Sequence, residues 1–218
     1  MNFRAILFDL DGTLLDTLAD LADAMNNALI EMGFPAHPPQ AYCYFVGDGV
    51  RNESERALPQ ESRDPETIDR LTELARDNYT KCWYNKTRPY PHILQLLGEL
   101  EKKGIPKVIL SNKPHDFTKL LVDKYFSDFK FQIVRGKMDS FERKPDPASA
   151  LDIAEKMNIS PESFLYLGDT NTDMQTALNA GMYPVGALWG FRSEDELKNA
   201  GAKVLLKDPL GILDLLEG

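Results

Sequence analysis

Arg4-Ala5-Ile6-Leu7-Phe8-Asp9-Leu10-Asp11-Gly12-Thr13-Leu14-Leu15-Asp16 is the stretch whose reading decides the fold. Residues 4–8 are apolar at consecutive positions after the arginine, which suits a strand covered on both faces. Such a strand has no need of a carboxylate at its end, yet Asp9 stands there and Asp11 follows two residues later. Period-2 geometry puts both on one side if the strand continues. Two anions so close repel, and one would keep its proton unless a cation shares the site. A divalent metal resolves that conflict. Asp16 precedes a helical pattern and reads as an ordinary helix cap.

Working outward, similar β-type runs recur at residues 107–110, 131–134, 164–167, 184–188 and 203–206. Helical patterns separate most of them. Ile93, Leu96, Leu97 and Leu100 repeat at helix spacing, with Gly104 to close the helix. Ser160-Pro161 reads as a cap and first-turn proline. Ser193 to Glu196 fits a capping box, with Gly201 as the stop. This alternation predicts an α/β chain, a Rossmann-like, doubly wound parallel sheet with helices on both faces.

Residues 17–86 break the alternation. Leu18, Leu21, Ala22, Met25, Leu29 and Met32 form one helical stripe ending at Gly33. Pro35, Pro38 and Pro39 mark a loop. Asp64-Pro65 opens another helix with Ile68, Leu71, Leu74, Ala75 and Tyr79 inside. The expected organisation is a core of residues 1–16 and 87–218 with an inserted all-helical cap of residues 17–86. Open α/β sheets bind ligands beyond the C-terminal ends of their strands, so an insert rooted there is placed to act as a lid. Plain helical packing is the alternative.

Composition narrows the function. The 218 residues are 43% hydrophobic and 27% charged, an ordinary globular balance. Twenty-five Lys and Arg face 34 Asp and Glu, a net charge of −9. No general nucleic-acid binder is expected with that field, and an anionic ligand would need local positive charge. Cys43 and Cys82 read as free thiols in a reducing compartment, not as a disulfide framework or zinc site. His37, His92 and His115 lack ligand spacing and read as surface residues. No run approaches the ~20 apolar residues of a membrane span, and the one at the N-terminus is too short for a signal peptide. A cytoplasmic protein with no membrane partner is expected.

Three further motifs carry chemistry. Gly168-Asp169-Thr170-Asn171-Thr172-Asp173 follows an apolar run, and Asp169 and Asp173 share a face if a helix starts there; Asp and Thr at a helix start are also plain N-caps. Ser111-Asn112-Lys113-Pro114 offers a hydroxyl, an amide and backbone N–H groups that can cradle a phosphoryl group, or form a simple turn. In Arg143-Lys144-Pro145-Asp146-Pro147 the prolines stiffen the chain around Lys144, and Asp146-Pro147 can open a helix; a solvated loop lysine is the default, but one fixed near the carboxylates and an anionic ligand would supply the missing positive charge. Magnesium prefers hard oxygen ligands, which Asp9, the Asp11 backbone carbonyl and Asp169 would supply.

With these residues in order, the chain resembles the haloacid dehalogenase superfamily of phosphatases, and within it the phosphoglycolate phosphatases. The four superfamily motifs are Asp9-Leu10-Asp11-Gly12-Thr13, Ser111, Lys144, and Gly168-Asp169 with Asp173. The subgroup likeness extends over Val46-Gly47-Asp48-Gly49-Val50, Arg56-Ala57-Leu58, Asn179-Ala180-Gly181-Met182 and Trp189-Gly190-Phe191-Arg192. Pro91-His92 departs from the Pro-Gly of the family, as do Glu53 and Ser54 from its usual leucine.

The resemblance implies a Mg²⁺-dependent phosphatase of a small phosphorylated metabolite, with 2-phosphoglycolate the first candidate. Pyrophosphate, a nucleotide or a sugar phosphate is the alternative, and a phosphomutase a further one. Asp9 would be the nucleophile, Asp11 the acid and base, kept protonated at rest by its neighbour Asp9, and Lys144 the third catalytic residue. Ser111, Asn112, Lys113, Thr13, Gly47 and Arg51 would bind substrate. Asp9, Asp11, Asp169 and Asp173 would serve the metal, Asp173 by orienting its waters.

Overall fold

The computed structural model describes residues 3–216. In chain order the strands are β1 (Ala5–Phe8), β2 (Leu15–Asp16), β3 (Arg88–Pro89), β4 (Lys107–Pro114), β5 (Ile133–Lys137), β6 (Phe164–Gly168), β7 (Tyr183–Ala187) and β8 (Val204–Leu206). The helices are α1 (Leu18–Glu31), α2 (Tyr42–Phe45), α3 (Val50–Ala57), α4 (Pro65–Cys82), α5 (Ile93–Lys102), α6 (His115–Tyr125), α7 (Ala148–Met157), α8 (Asn171–Asn179), α9 (Glu194–Asn199) and α10 (Ile212–Leu216). The chain forms two compact units, one of residues 1–15 and 89–218, the other of residues 16–88.

In the first unit six strands pair in the order β5-β4-β1-β6-β7-β8, every neighbouring pair parallel. Ala5, Leu7, Val108, Leu110, Phe164 and Tyr166 pack in one cluster with Ala150 and Ile153 of α7 and Ala177 of α8. The alternate positions Ile6, Phe8, Ile109, Leu165 and Leu167 are equally buried. Both faces are therefore covered, which is why these strands are apolar throughout. From β1 the chain moves outward through β4 and β5, then crosses to β6 on the other side. That reversal makes the β1/β6 edge a topological switch point, where doubly wound sheets bind ligands.

In the second unit α1 buries Ala22, Met25 and Leu29, while α4 buries Ile68, Leu71, Ala75 and Tyr79. Asp64 caps α4 by accepting from Thr67 N at 3.0 Å, with Pro65 at the first helical position. Asp20, fully buried in α1, accepts from Lys86 N, Thr87 N and Thr87 Oγ1 at 3.0, 2.9 and 2.8 Å.

Several expectations need correction. Asp16 is not a helix cap: Thr17 holds that place without a side-chain cap bond, and Asp16 takes Arg88 at 3.2 Å. Ser160-Pro161 opens only a three-residue 3-10 turn before β6, and Ser160 makes no cap bond. His37 and His115 are half-buried, not superficial. His37 Nε2 lies 2.7 Å from the Ala57 carbonyl, and His115 Nδ1 accepts from Gly136 N at 3.2 Å. His92 is exposed, with φ +65° at the start of α5. Both cysteines are free. No described helix is long and apolar enough to cross a membrane.

Candidate active site

Phe8 stands opposite Ile109 on β4 and Leu167 on β6. β1 and β6 therefore end side by side, with Asp9 and Asp169 just beyond them and Ser111 of β4 at the same level. Thr170 caps α8 in a reciprocal capping box with Asp173, which brings Asp173 back over the end of β6. One carboxylate oxygen from each of Asp9, Asp169 and Asp173 lies within 4.8 Å of the other two, all three residues buried.

Lys144 is the cation of this cluster. Its Nζ donates to Asp9 Oδ1 and Asp173 Oδ1, each at 2.7 Å, and to the Leu110 carbonyl at 3.2 Å. Asn112 fixes the Lys144 backbone from both sides, donating Nδ2 to its carbonyl at 3.1 Å and accepting its N–H at 2.9 Å. The Asn112 side chain thus holds the Lys144 backbone.

Three carboxylates to one ammonium leave an excess of negative charge. Burial, reinforced by the Asp173 carboxylate, holds the Asp9 carboxyl well above the usual range, although Lys144 opposes the shift. Burial and Asp173 also push Asp169 up to about 7, against the Phe191 N–H and Thr13 hydroxyl that favour its anion. For Lys144 burial works against the charge, but Asp173 and Asp9 outweigh it and keep its proton on more tightly than usual. A site that resists full ionisation while offering only oxygen donors suits a hard divalent cation.

The donors are not equivalent. Asp173 Oδ2 is occupied by Thr170 N and Oγ1, at 3.1 and 2.7 Å, and its Oδ1 faces Lys144. Asp169 accepts once on each oxygen, from Thr13 Oγ1 at 2.9 Å and Phe191 N at 2.8 Å, which leaves lone pairs on both. Two glycines let the backbone close around it. A Cβ on Gly12, whose φ is +85°, would lie 2.3 Å from Asp169 Oδ2, and one on Gly190 would lie 2.2 Å from Asp169 Cβ. Gly190 and Phe191 stood in a motif quoted from the sequence without a role; nothing local showed that residue 191 would turn its N–H to residue 169.

Asp11 stands apart from the three carboxylates. Lys113 Nζ lies 3.2 Å from each of its oxygens. Ser111 Oγ accepts from Lys113 N at 3.2 Å, and Trp189 Nε1 donates to the Thr13 carbonyl at 2.9 Å.

Gly47 and Arg51 belong to the other unit. Arg51 Nε donates to Asp69 at 2.8 Å, with both side chains largely exposed. In the Gly47-Asp48-Gly49 turn Arg56 pairs with the Asp48 carboxylate, and Asn52 Nδ2 donates to its carbonyl at 3.1 Å.

A family model for haloacid dehalogenase-like hydrolases matches residues 6–187. The chain belongs to that family. A phosphoglycolate phosphatase of Aquifex aeolicus is 34% identical over 188 residues, covering 86% of each chain. One of Psychrobacter arcticus is 30% identical over 222 residues, covering 99% of this chain and 96% of that one. The crystal structure of a predicted phosphoglycolate phosphatase from Haemophilus somnus matches with a TM-score of 0.91 at 26% identity, over 99% of this chain and 98% of that one. The protein is an enzyme, and its relatives place it among the phosphoric monoester hydrolases.

Proposed function

We propose that this phosphatase hydrolyses a small phosphomonoester, 2-phosphoglycolate first among them, through a phosphoryl group carried on Asp9. The observation that supports this most is Asp9 itself: a buried carboxylate at the switch point, one oxygen held by Lys144. Its other oxygen would attack phosphorus, and the ester oxygen would leave with a proton from Asp11. Asp11 would then take a proton from water as that water attacks the same phosphorus, returning Asp9 and releasing inorganic phosphate.

Asp9 and Asp169, with the Asp11 carbonyl, would hold Mg²⁺, and Asp173 would act from behind them. When bound, the ion would neutralise the charge between carboxylates and phosphate. Lys144 would stabilise charge on the non-bridging oxygens, and Ser111 and Thr13 would line the same edge. Most of the acceleration in phosphoryl transfer comes from positioning and electrostatics of this kind.

In this reading the helical unit selects the leaving group, with Gly47 and Arg51 as its substrate residues. The exposed Arg51–Asp69 pair is worth little, so a substrate carboxylate can compete for the guanidinium. The test is phosphate release from a panel of esters, with Mg²⁺ and with chelator. Metal-dependent turnover with 2-phosphoglycolate the best substrate is expected. A nucleotide, sugar phosphate or pyrophosphate turned over much faster would replace the substrate, and formation of a phosphate isomer would replace hydrolysis by a mutase reaction.

A further inference from the structure

We propose that Lys113 is a positioning residue for Asp11 and not a ligand of the substrate phosphate; this rests on the acid–base role given to Asp11 above. Lys113 lies near the end of β4 and Asp11 in the turn that follows the neighbouring β1, and their side chains are only 4% and 12% exposed. The ammonium lies 3.2 Å from each carboxylate oxygen, a side-on contact that fixes the plane of the carboxylate as well as its place.

The lysine is held as firmly as a support needs to be. Its N–H donates to Ser111 Oγ at 3.2 Å, and its carbonyl accepts from Thr118 Oγ1 at 3.3 Å. Gly136 presses against it from β5, where a Cβ would lie 2.6 Å from the Lys113 carbonyl oxygen. A mobile arm for capturing substrate would not be anchored at both backbone groups. Lys144 already supplies the buried cation among the carboxylates of Asp9 and Asp173, so phosphate binding does not require a second one.

An acid–base group must reach the ester oxygen in the first step and water in the second. General acid–base catalysis is worth ~10²–10⁴ in rate, and only when the group is correctly placed. Loss of the support should therefore lower kcat and spare KM. It should also matter most for esters whose leaving alcohol needs a proton.

The experiment compares the wild type, Lys113→Met, Lys113→Arg, Asp11→Asn and the double variant Lys113→Met/Asp11→Asn, on 2-phosphoglycolate and on p-nitrophenyl phosphate. Lys113→Met should lower kcat for the alkyl ester about 10–100-fold, part of the acid–base contribution, with KM changed by less than about 3-fold. The loss should be several-fold smaller with the nitrophenyl ester. In the Asp11→Asn background the same change should cost less than about 2-fold, since coupled residues are not additive. Lys113→Arg keeps the cation and should recover most of the rate; if Lys113→Met does not fold, Lys113→Gln takes its place with the same expected split between kcat and KM. A rise in KM with kcat preserved, equal for both esters and additive to Asp11→Asn, would make Lys113 a substrate ligand and overturn the proposal. Full turnover by Asp9→Asn would instead remove the underlying mechanism, a separate outcome of the same assay.

Discussion

Asp169→Asn isolates the charge imbalance of the site. In the folded chain burial and the Asp173 carboxylate raise Asp169 from 3.8 to about 7. Between those two values the folded state binds a proton that the unfolded state has released. Stability from this group is therefore present at low pH and lost as pH rises toward 7. At ~1.36 kcal/mol per pH unit the full effect is about 4 kcal/mol, of which about 3 kcal/mol falls between pH 5 and 8. Asparagine fills the same space and does not titrate. Urea unfolding of both proteins, treated with chelator, should show the wild type losing about 3 kcal/mol relative to Asp169→Asn over that interval. Millimolar Mg²⁺ at pH 8 should restore the wild type and leave the variant unchanged, because a ligand of the folded state stabilises by mass action. A pH-independent difference, or one that grows in favour of the wild type as pH rises without metal, would refute the electrostatic reasoning.

Other perturbations follow from the same contacts. Gly190→Ala forces a methyl to within 2.2 Å of Asp169 Cβ and 2.5 Å of the Gly12 carbonyl. It should destabilise the fold by ~1–3 kcal/mol and weaken Mg²⁺ binding, measurable by thermal melting with and without the ion. Lys144→Met leaves two buried carboxylates without their cation, so it should cost ~3–5 kcal/mol without metal and lower kcat by ~10²–10³. Asp20→Ala orphans the N–H groups of Lys86 and Thr87 in the helical unit. At ~1–3 kcal/mol per buried unsatisfied donor, it should lower the melting temperature clearly, whereas Arg51→Ala in the same unit should hardly move it.

The sheet was legible where strands are buried on both faces, since consecutive apolar residues such as Ile6, Leu7 and Phe8 leave few alternatives. It was least legible where polar residues continue a strand. β4 runs on through Ser111, Asn112 and Lys113 to Pro114, with a register irregularity after Leu110, while the sequence suggests a turn. β5 begins at Ile133 and includes Arg135, whose charge is buried by Asp152 and Ser149 contacts that lie 14 and more residues away. The carboxylates of the site were legible because charged groups after apolar strands demand an explanation. The Asn112 clamp, the Lys113–Asp11 pair and the Phe191 N–H were not, because each joins segments that only the folded sheet brings together.

The central claim is that an Asp9 oxygen attacks phosphorus. Acid quenching of the wild type during turnover of 2-phosphoglycolate with Mg²⁺, followed by peptide mass spectrometry, tests it directly. The account predicts one added phosphoryl group on the peptide that carries Asp9, absent from Asp9→Asn, which should also release no phosphate. Rapid turnover by Asp9→Asn, or a phosphoryl group found on another residue, would contradict it.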